Sequence, residues 1–149
     1  MKLKVLLVPP LFKEKGVPLA AGLLKSYVES LPSLRERVDV TILEHCGRIE
    51  NITEDILRES PDLVGFSVYA NMAQVRSVCS SLRISAPDVK IVVGGAFIEA
   101  MQFDEIFQDC AVDFAVFGEG EVTFSELLGA ILDGLPFSAV KGLAFRGKG

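Results

Sequence analysis

Apolar residues in this chain fall in two alternating patterns, short dense runs and longer stretches with helical spacing. Leu3 to Val8 is apolar at five of six positions, as expected of a central strand covered on both faces. Pro9 and Pro10 end it and stiffen a long loop that runs to Gly16. Pro18 suits a first helical turn, and Leu19, Leu23, Leu24, Tyr27, Val28 and Leu31 then form an apolar helical stripe. Gly22 inside that helix suggests close packing against the sheet or a ligand. Val38 to Leu43 alternates, with Asp39 and Thr41 on the second face, which predicts an edge strand.

The same alternation of patterns continues. Asn51 and Glu54 read as a capping box before a short helix with Ile52 and Ile56 buried. Leu63 to Ser67 is a dense strand. Asn71 with Gln74 is the next capping pair, ahead of Met72, Val75, Val78, Cys79 and Leu82 on one face. Pro87 stops that helix before a fourth strand, Lys90 to Val93, which leads into Gly94-Gly95. Phe103, Ile106, Phe107 and Cys110 mark a weaker helix, and Asp113 to Phe117 a fifth strand. After Gly118-Glu119-Gly120-Glu121, Thr123 and Glu126 suggest a cap for a last helix that Gly134 and Pro136 end. Gly142 to Arg146 suits a short extra strand. Five strands alternating with five helices predict an α/β fold, a doubly wound five-stranded parallel sheet with helices on both faces. With the second strand at an edge, the expected order is the Rossmann-like, flavodoxin-like 2-1-3-4-5, whose switch point lies between strands one and three. The carboxyl ends of the strands, Ser67-Val68-Tyr69 and Gly94-Gly95 among them, then share the edge where ligands bind.

Composition narrows the function classes. The chain has 149 residues, enough for one domain and too few for two. A net charge of −5 and scattered basic residues argue against nucleic acid as a partner. The VLLV run near the start resembles the core of a signal peptide, but the prolines and Lys13-Glu14-Lys15 end it too soon. No apolar run approaches the roughly 20 residues of a membrane span, so no membrane partner is expected. Cys46, Cys79 and Cys110 are odd in number and widely spaced, which supports neither a zinc site nor a disulfide framework and favours a reducing cytoplasm.

Catalytic machinery is not visible in the sequence. Gly94-Gly95 suits a tight turn or a floor on which a large ligand lies against backbone. The GEGE stretch opens as GxG, but Thr123 stands where a dinucleotide fingerprint needs glycine, and no GK[ST] phosphate loop occurs. Amides ahead of the last helix could still bind an anion or a polar ligand edge, while Glu119 and Glu121 read more simply as solvated. Ser67 has no histidine or acid near it in sequence. His45, the sole histidine, follows the edge strand, where a surface or structural role is a simpler reading than metal ligation or base catalysis. Glu44 stands roughly where a ribose-binding acid sits in a nicotinamide-binding fold, but the glycine fingerprint after strand one is missing. The residues alone describe a ligand-binding α/β domain.

Taken in order, LLVPP with PLAAGLL, PDLVGFSVY, VKIVVGGAF, VDFAVFGEGEVTFSELL and KGLAFRGKG resemble the N-terminal cobalamin-binding domain of cobalamin-dependent radical S-adenosylmethionine enzymes. The resemblance covers nearly the whole chain. It implies a corrinoid gripped at the carboxyl edge of the sheet, with its nucleotide tail passing between strands one and three. Ser67, beside Val68, would meet the base of the tail, and Gly94, Gly95 and Ala96 would let the tail pass. Gly118, Glu119 and Gly120 would flank its far end. Pro10 and Leu11 in the first loop, with Tyr69, would face the corrin ring. The DxHxxG histidine of mutases and methionine synthases has no counterpart in PPLFKEKG, so cobalamin is expected base-off with no histidine ligand. The CxxxCxxC that would hold a 4Fe-4S cluster beside S-adenosylmethionine is also absent. The expectation is one cobalamin-binding-like domain, residues 1–149, of a longer methyltransferase-like or carbon-skeleton enzyme whose C-terminal radical domain carries the chemistry. The alternative is a structural or interaction domain that keeps the fold without the cofactor; a flavin or nicotinamide enzyme is a more distant reading.

Overall fold

The computed structural model describes residues 2–10, 19–44, 51–68, 72–108 and 111–146. In chain order the elements are β1 (Leu3–Val8), α1 (Leu19–Ser30), β2 (Val38–Ile42), α2 (Ile52–Glu59), β3 (Leu63–Ser67), α3 (Met72–Ser85) and β4 (Lys90–Gly94). They continue with α4 (Ala96–Glu99), α5 (Phe103–Ile106), β5 (Phe114–Val116), α6 (Gly120–Asp133), a 3₁₀ turn at Phe137–Ala139, and β6 (Leu143–Phe145). The sheet order is β2-β1-β3-β4-β5-β6, so the expected 2-1-3-4-5 arrangement is present with one strand more.

That sixth strand corrects the five-stranded expectation. The short strand suggested for Gly142 to Arg146 joins the sheet, and it pairs with β5 antiparallel, Phe114 opposite Phe145 and Val116 opposite Leu143. Its reversal is set by local chemistry. Gly142 has φ +78, and a Cβ there would lie 2.9 Å from Thr123 Oγ1 and 3.1 Å from the Phe117 carbonyl oxygen. Only glycine fits that turn without strain. Phe137 then packs edge-on to Phe114 and Phe145, at 4.9 and 5.9 Å between ring centroids, which holds the strand against the sheet.

Alternating side chains on the parallel strands feed two separate cores. Leu6, Val8, Val64, Phe66, Ile91 and Val93 face α2, α3, α4 and α5, meeting Ile56, Val75, Cys79, Leu82, Ile98 and Ile106. Val5, Leu7, Leu63 and Val92 face α1 and α6, meeting Ala21, Val28, Phe124, Leu127 and Leu128. Burial of each such aliphatic side chain is worth about 1.5–3 kcal/mol, so double coverage of β1, β3 and β4 dominates the stability of the sheet. In β2 exposed Asp39 and Thr41 alternate with buried Val38 and Val40, the edge-strand pattern read from the sequence.

Helix ends follow from few residues. Ser60 adopts a left-handed conformation and its amide donates to the Leu57 carbonyl, ending α2 before Pro61. Gly134, at φ +68, closes α6 in the same way. Two expected capping boxes do not form. Asn51 already has helical φ and ψ (−93, −1), so its side chain makes no cap bond, because capping needs an extended backbone at that position. Thr123 lies inside α6, which starts three residues earlier, and its hydroxyl donates instead to the Lys141 carbonyl at 2.9 Å. The pair opening with Asn71 lies outside the described residues.

The helix expected with Phe103, Ile106, Phe107 and Cys110 is present as the short α5, and Cys110 lies outside the described residues. The chain forms two four-residue helices, α4 and α5, and only Ile98 and Ile106 are buried in them. Phe103 is half-exposed against Phe107. Gly22 has no described atom from beyond its chain neighbours and its own helix backbone within 4 Å of a Cβ built on it, so close packing among the described residues is not what it serves.

Candidate functional site

Parallel strands deliver their carboxyl ends to one edge, and there the structure opens a cleft of about 490 Å³ between the sheet, the start of α1 and the start of α6. Leu7 and Pro10 contribute from the β1 end, Gly65 to Ser67 from β3, Val92 to Gly95 from β4 and Val116 from β5. Ala20, Ala21, Leu23 and Leu24 line it from α1, with Gly120, Glu121 and Phe124 from α6. The cleft thus spans the switch point between β1 and β3 and runs on towards β5.

The floor is low because glycines form it. Gly65 sits in mid-strand, where a Cβ would stand 3.0 Å from Leu7 Cδ2 and 3.4 Å from Val92 Cγ1. Gly94 pairs with Ser67 across the ladder, and a Cβ on it would contact Val116 at 3.7 Å. Gly95 turns the chain out of β4 with φ +114, a conformation essentially confined to glycine. Here a Cβ would lie 2.6 Å from the Val68 carbonyl oxygen. Gly120 meets Leu24 and Val116 at 3.6 and 3.7 Å by the same measure, so the α6 wall also comes close to α1.

Of the residues expected at the site, Pro10, Ser67, Gly94, Gly95, Ala96, Gly118 and Gly120 line this cleft together. Val68 does not line it. It is buried beneath the turn, its amide donating to the Gly94 carbonyl at 2.7 Å, and it supports the turn from within the core. Glu119 is exposed at the N-cap of α6 and outside the lining. Leu11 and Tyr69 lie outside the described residues.

Gly65, Leu23 and Phe124 also line the cleft. Gly65 carried a signal, since a glycine between dense apolar strand positions marks a close approach. Leu23 was expected in the apolar stripe of α1, yet it is 51% exposed and faces the cleft, because Ala21 and Val28 take the buried positions. Phe124 was read as core and serves both, 3% exposed and lining the cleft.

Chemically the cleft is a weakly polar cradle. Among the described residues, Glu121 is the one charged side chain lining it, and no described Lys or Arg does. The Gly118 amide, a candidate anion donor, is already taken by Glu99 Oε1 at 2.6 Å. A phosphate-anchored flavin or nicotinamide cofactor has no cationic partner among these residues. A broad ligand that presses against backbone suits the glycine floor, and this is how the residues present fit a corrinoid. A more open depression of about 540 Å³ lies at the amino ends of the strands, lined by Lys2, Asp62, Pro87 and Lys90. In parallel α/β sheets that edge is not where ligands bind.

Comparison with known proteins bears on the same elements. Residues 17–128 match the B12 binding domain family. The chain is 29% identical over 133 residues to the cobalamin-dependent radical SAM methyltransferase TokK of Streptomyces tokunonensis, covering 87% of this chain and 19% of TokK. It is 28% identical over 139 residues to the uncharacterized methyltransferase PH0819 of Pyrococcus horikoshii, covering 90% of this chain and 29% of that protein. Among solved structures, the radical S-adenosylmethionine methyltransferase TsrM from Kitasatospora setae, with cobalamin and a [4Fe-4S] cluster bound, superposes with a TM-score of 0.82 at 23% identity. That match covers 99% of this chain and 30% of TsrM. No helix among the described residues is long and apolar enough to cross a membrane.

Proposed function

The chain belongs to the B12-binding domain family, a cobalamin-binding module, and we propose that it holds the corrinoid in the carboxyl-edge cleft on behalf of a radical S-adenosylmethionine methyltransferase domain in the same polypeptide. The glycine-floored cleft at the carboxyl edge of the sheet is the observation that carries this reading. Gly65, Gly94 and Gly95 would let a ligand tail lie against backbone, Ser67 would offer it a hydroxyl, and Leu23 and Phe124 would cover its apolar side. Gly118 and Gly120 would bound its far end, with Glu119 outside them. Pro10, continuing into Leu11, and Tyr69 would face the corrin ring.

When bound, the corrinoid supplies cobalt-centred, methyl-carrying chemistry. This chain's own residues bind it, orient it and exclude water from its buried side. Catalysis is assigned to the partner domain, with its iron–sulfur cluster and S-adenosylmethionine. The chain spans 19% and 29% of the curated relatives above, which leaves most of their length to such a domain. We read the bound form as base-off without a histidine ligand, because the PPLFKEKG loop holds none. A buried free thiol at Cys79 suits a cytoplasmic setting.

Titration of the chain with hydroxocobalamin, followed by its visible absorption bands, tests the reading. A saturable shift at one corrinoid per chain is expected. Unchanged spectra under both reducing and oxidising conditions would overturn it and leave a cofactor-free scaffold.

A further inference from the structure

Two walls of the cleft are joined by one side chain. Glu99 ends α4, the short helix that starts at Ala96, directly after the glycine pair of the first wall. Its Oε1 accepts a hydrogen bond from the amide of Gly118, the first residue of the turn that forms the other wall, at 2.6 Å. A carboxylate on a backbone amide is among the stronger hydrogen bonds. Gly118 needs such a tie, because its φ is +78 and no described atom beyond its chain neighbours lies within 4 Å of where a Cβ would stand. Packing therefore does little to fix the turn at this residue. Polar contacts do so instead, since the preceding amide, that of Phe117, donates to the Gly142 carbonyl at 2.8 Å. The β6 contact fixes the turn to the sheet, and Glu99 fixes it to the opposite wall.

From this geometry we infer that Glu99 is a positioning residue, setting the spacing between the Gly94–Ala96 wall and the Gly118–Gly120 wall and so the fit of the part of the ligand held between them. It also keeps an anion off the Gly118 amide. The inference rests on the cobalamin reading, in which the nucleotide tail runs between these walls while the corrin ring faces the β1 loop.

Paired titrations of the full chain with hydroxocobalamin and with cobinamide, which lacks the nucleotide tail, test it. Replacement Glu99→Ala should weaken hydroxocobalamin binding roughly fivefold and leave cobinamide within about twofold of the parent. Replacement Glu99→Gln, whose amide oxygen can accept the same bond, should recover most of the loss. Unliganded melting temperatures should stay within about 2 °C of the parent, as expected for an exposed side chain. Equal affinity of parent and Glu99→Ala for both corrinoids would overturn the inference, as would a proportionate loss of both. A parent chain that binds neither overturns the cobalamin reading and this inference with it.

Discussion

Gly95 lies against Val68 so closely that a Cβ on the glycine would stand 2.6 Å from the Val68 carbonyl oxygen and 3.1 Å from its amide nitrogen. The Val68 amide in turn donates to the carbonyl of Gly94 at 2.7 Å. The exits of β3 and β4 are thus locked backbone to backbone, and the cleft floor is built on that lock. Of the glycine pair, Gly95 serves the turn, whereas Gly94 lines the cleft with only ordinary contacts around it.

Substitution separates the two. Gly95→Ala places a side chain at φ +114 and against backbone, and should cost about 2 kcal/mol or more of folding stability. Gly94→Ala meets only ordinary contacts near 3.7 Å, so its stability should change little while the added methyl narrows the cleft. Urea denaturation of both variants, beside hydroxocobalamin titration of Gly94→Ala, checks this. Equal destabilisation by both would contradict the division.

Leu23 offers a cleaner probe of the binding surface. It is 51% exposed and lines the cleft, so Leu23→Ser should leave stability within about 0.5 kcal/mol of the parent. Corrinoid affinity should fall several-fold through the lost apolar cover, roughly as expected for about 1 kcal/mol of buried aliphatic contact. Unchanged affinity would place the ligand away from α1.

Away from the cleft, Asp113 organises the amino edge of β5. Its Oδ2 accepts from Arg83 Nη2 at 2.7 Å and from the Ile91 amide at 2.8 Å. Arg83 also donates to the carbonyls of Pro87, Val89 and Ala111, so one guanidinium ties α3 to β4 and β5. Asp113→Ala leaves the Ile91 amide and one guanidinium donor unmatched in a part-buried place. Solvent screening tempers the ion pair, and a loss of about 1–2 kcal/mol is expected. The urea midpoint should drop with the slope unchanged.

Much of this was legible from the residues because parallel strands buried on both faces write dense apolar runs. Leu3–Val8 and Leu63–Ser67 have the same limits in the sequence reading and the structure, and the alternation of Val38 to Leu43 gave the edge position of β2. The site was readable where it depended on strand ends, as for Ser67 and Gly94. It was not readable where tertiary packing decides which face of a helix is used. Leu23 and Val28 have the same helical spacing, but only Val28 meets the sheet. Capping failed as a guide for a related reason: α6 starts at Gly120, ahead of Thr123, whose hydroxyl donates to the Lys141 carbonyl, a contact eighteen residues away that no local pattern encodes.

Cys79 is fully buried on α3, and burial pushes its thiol up to about 12 from an ordinary 9.0, with nearby Asp113 adding to the rise and Arg83 opposing it. The folded chain therefore keeps this proton across a range in which the unfolded chain releases it. Between pH 9 and 12 the folded state binds more protons at this site, so stability should fall as pH rises, by up to about 1.4 kcal/mol per pH unit. Below 9 the site contributes no slope. Other groups titrate in the same range, so the diagnostic quantity is the difference between the parent and Cys79→Ala, which lacks the thiol. Urea denaturation of both at several alkaline pH values should show the parent losing stability faster. In a background carrying Cys46→Ser and Cys110→Ser, the native chain should also resist iodoacetamide at pH 8 and react once unfolded, because the thiolate is the reacting form. Parallel stability curves, or rapid alkylation of the native thiol, would show that Cys79 is not held protonated in the core.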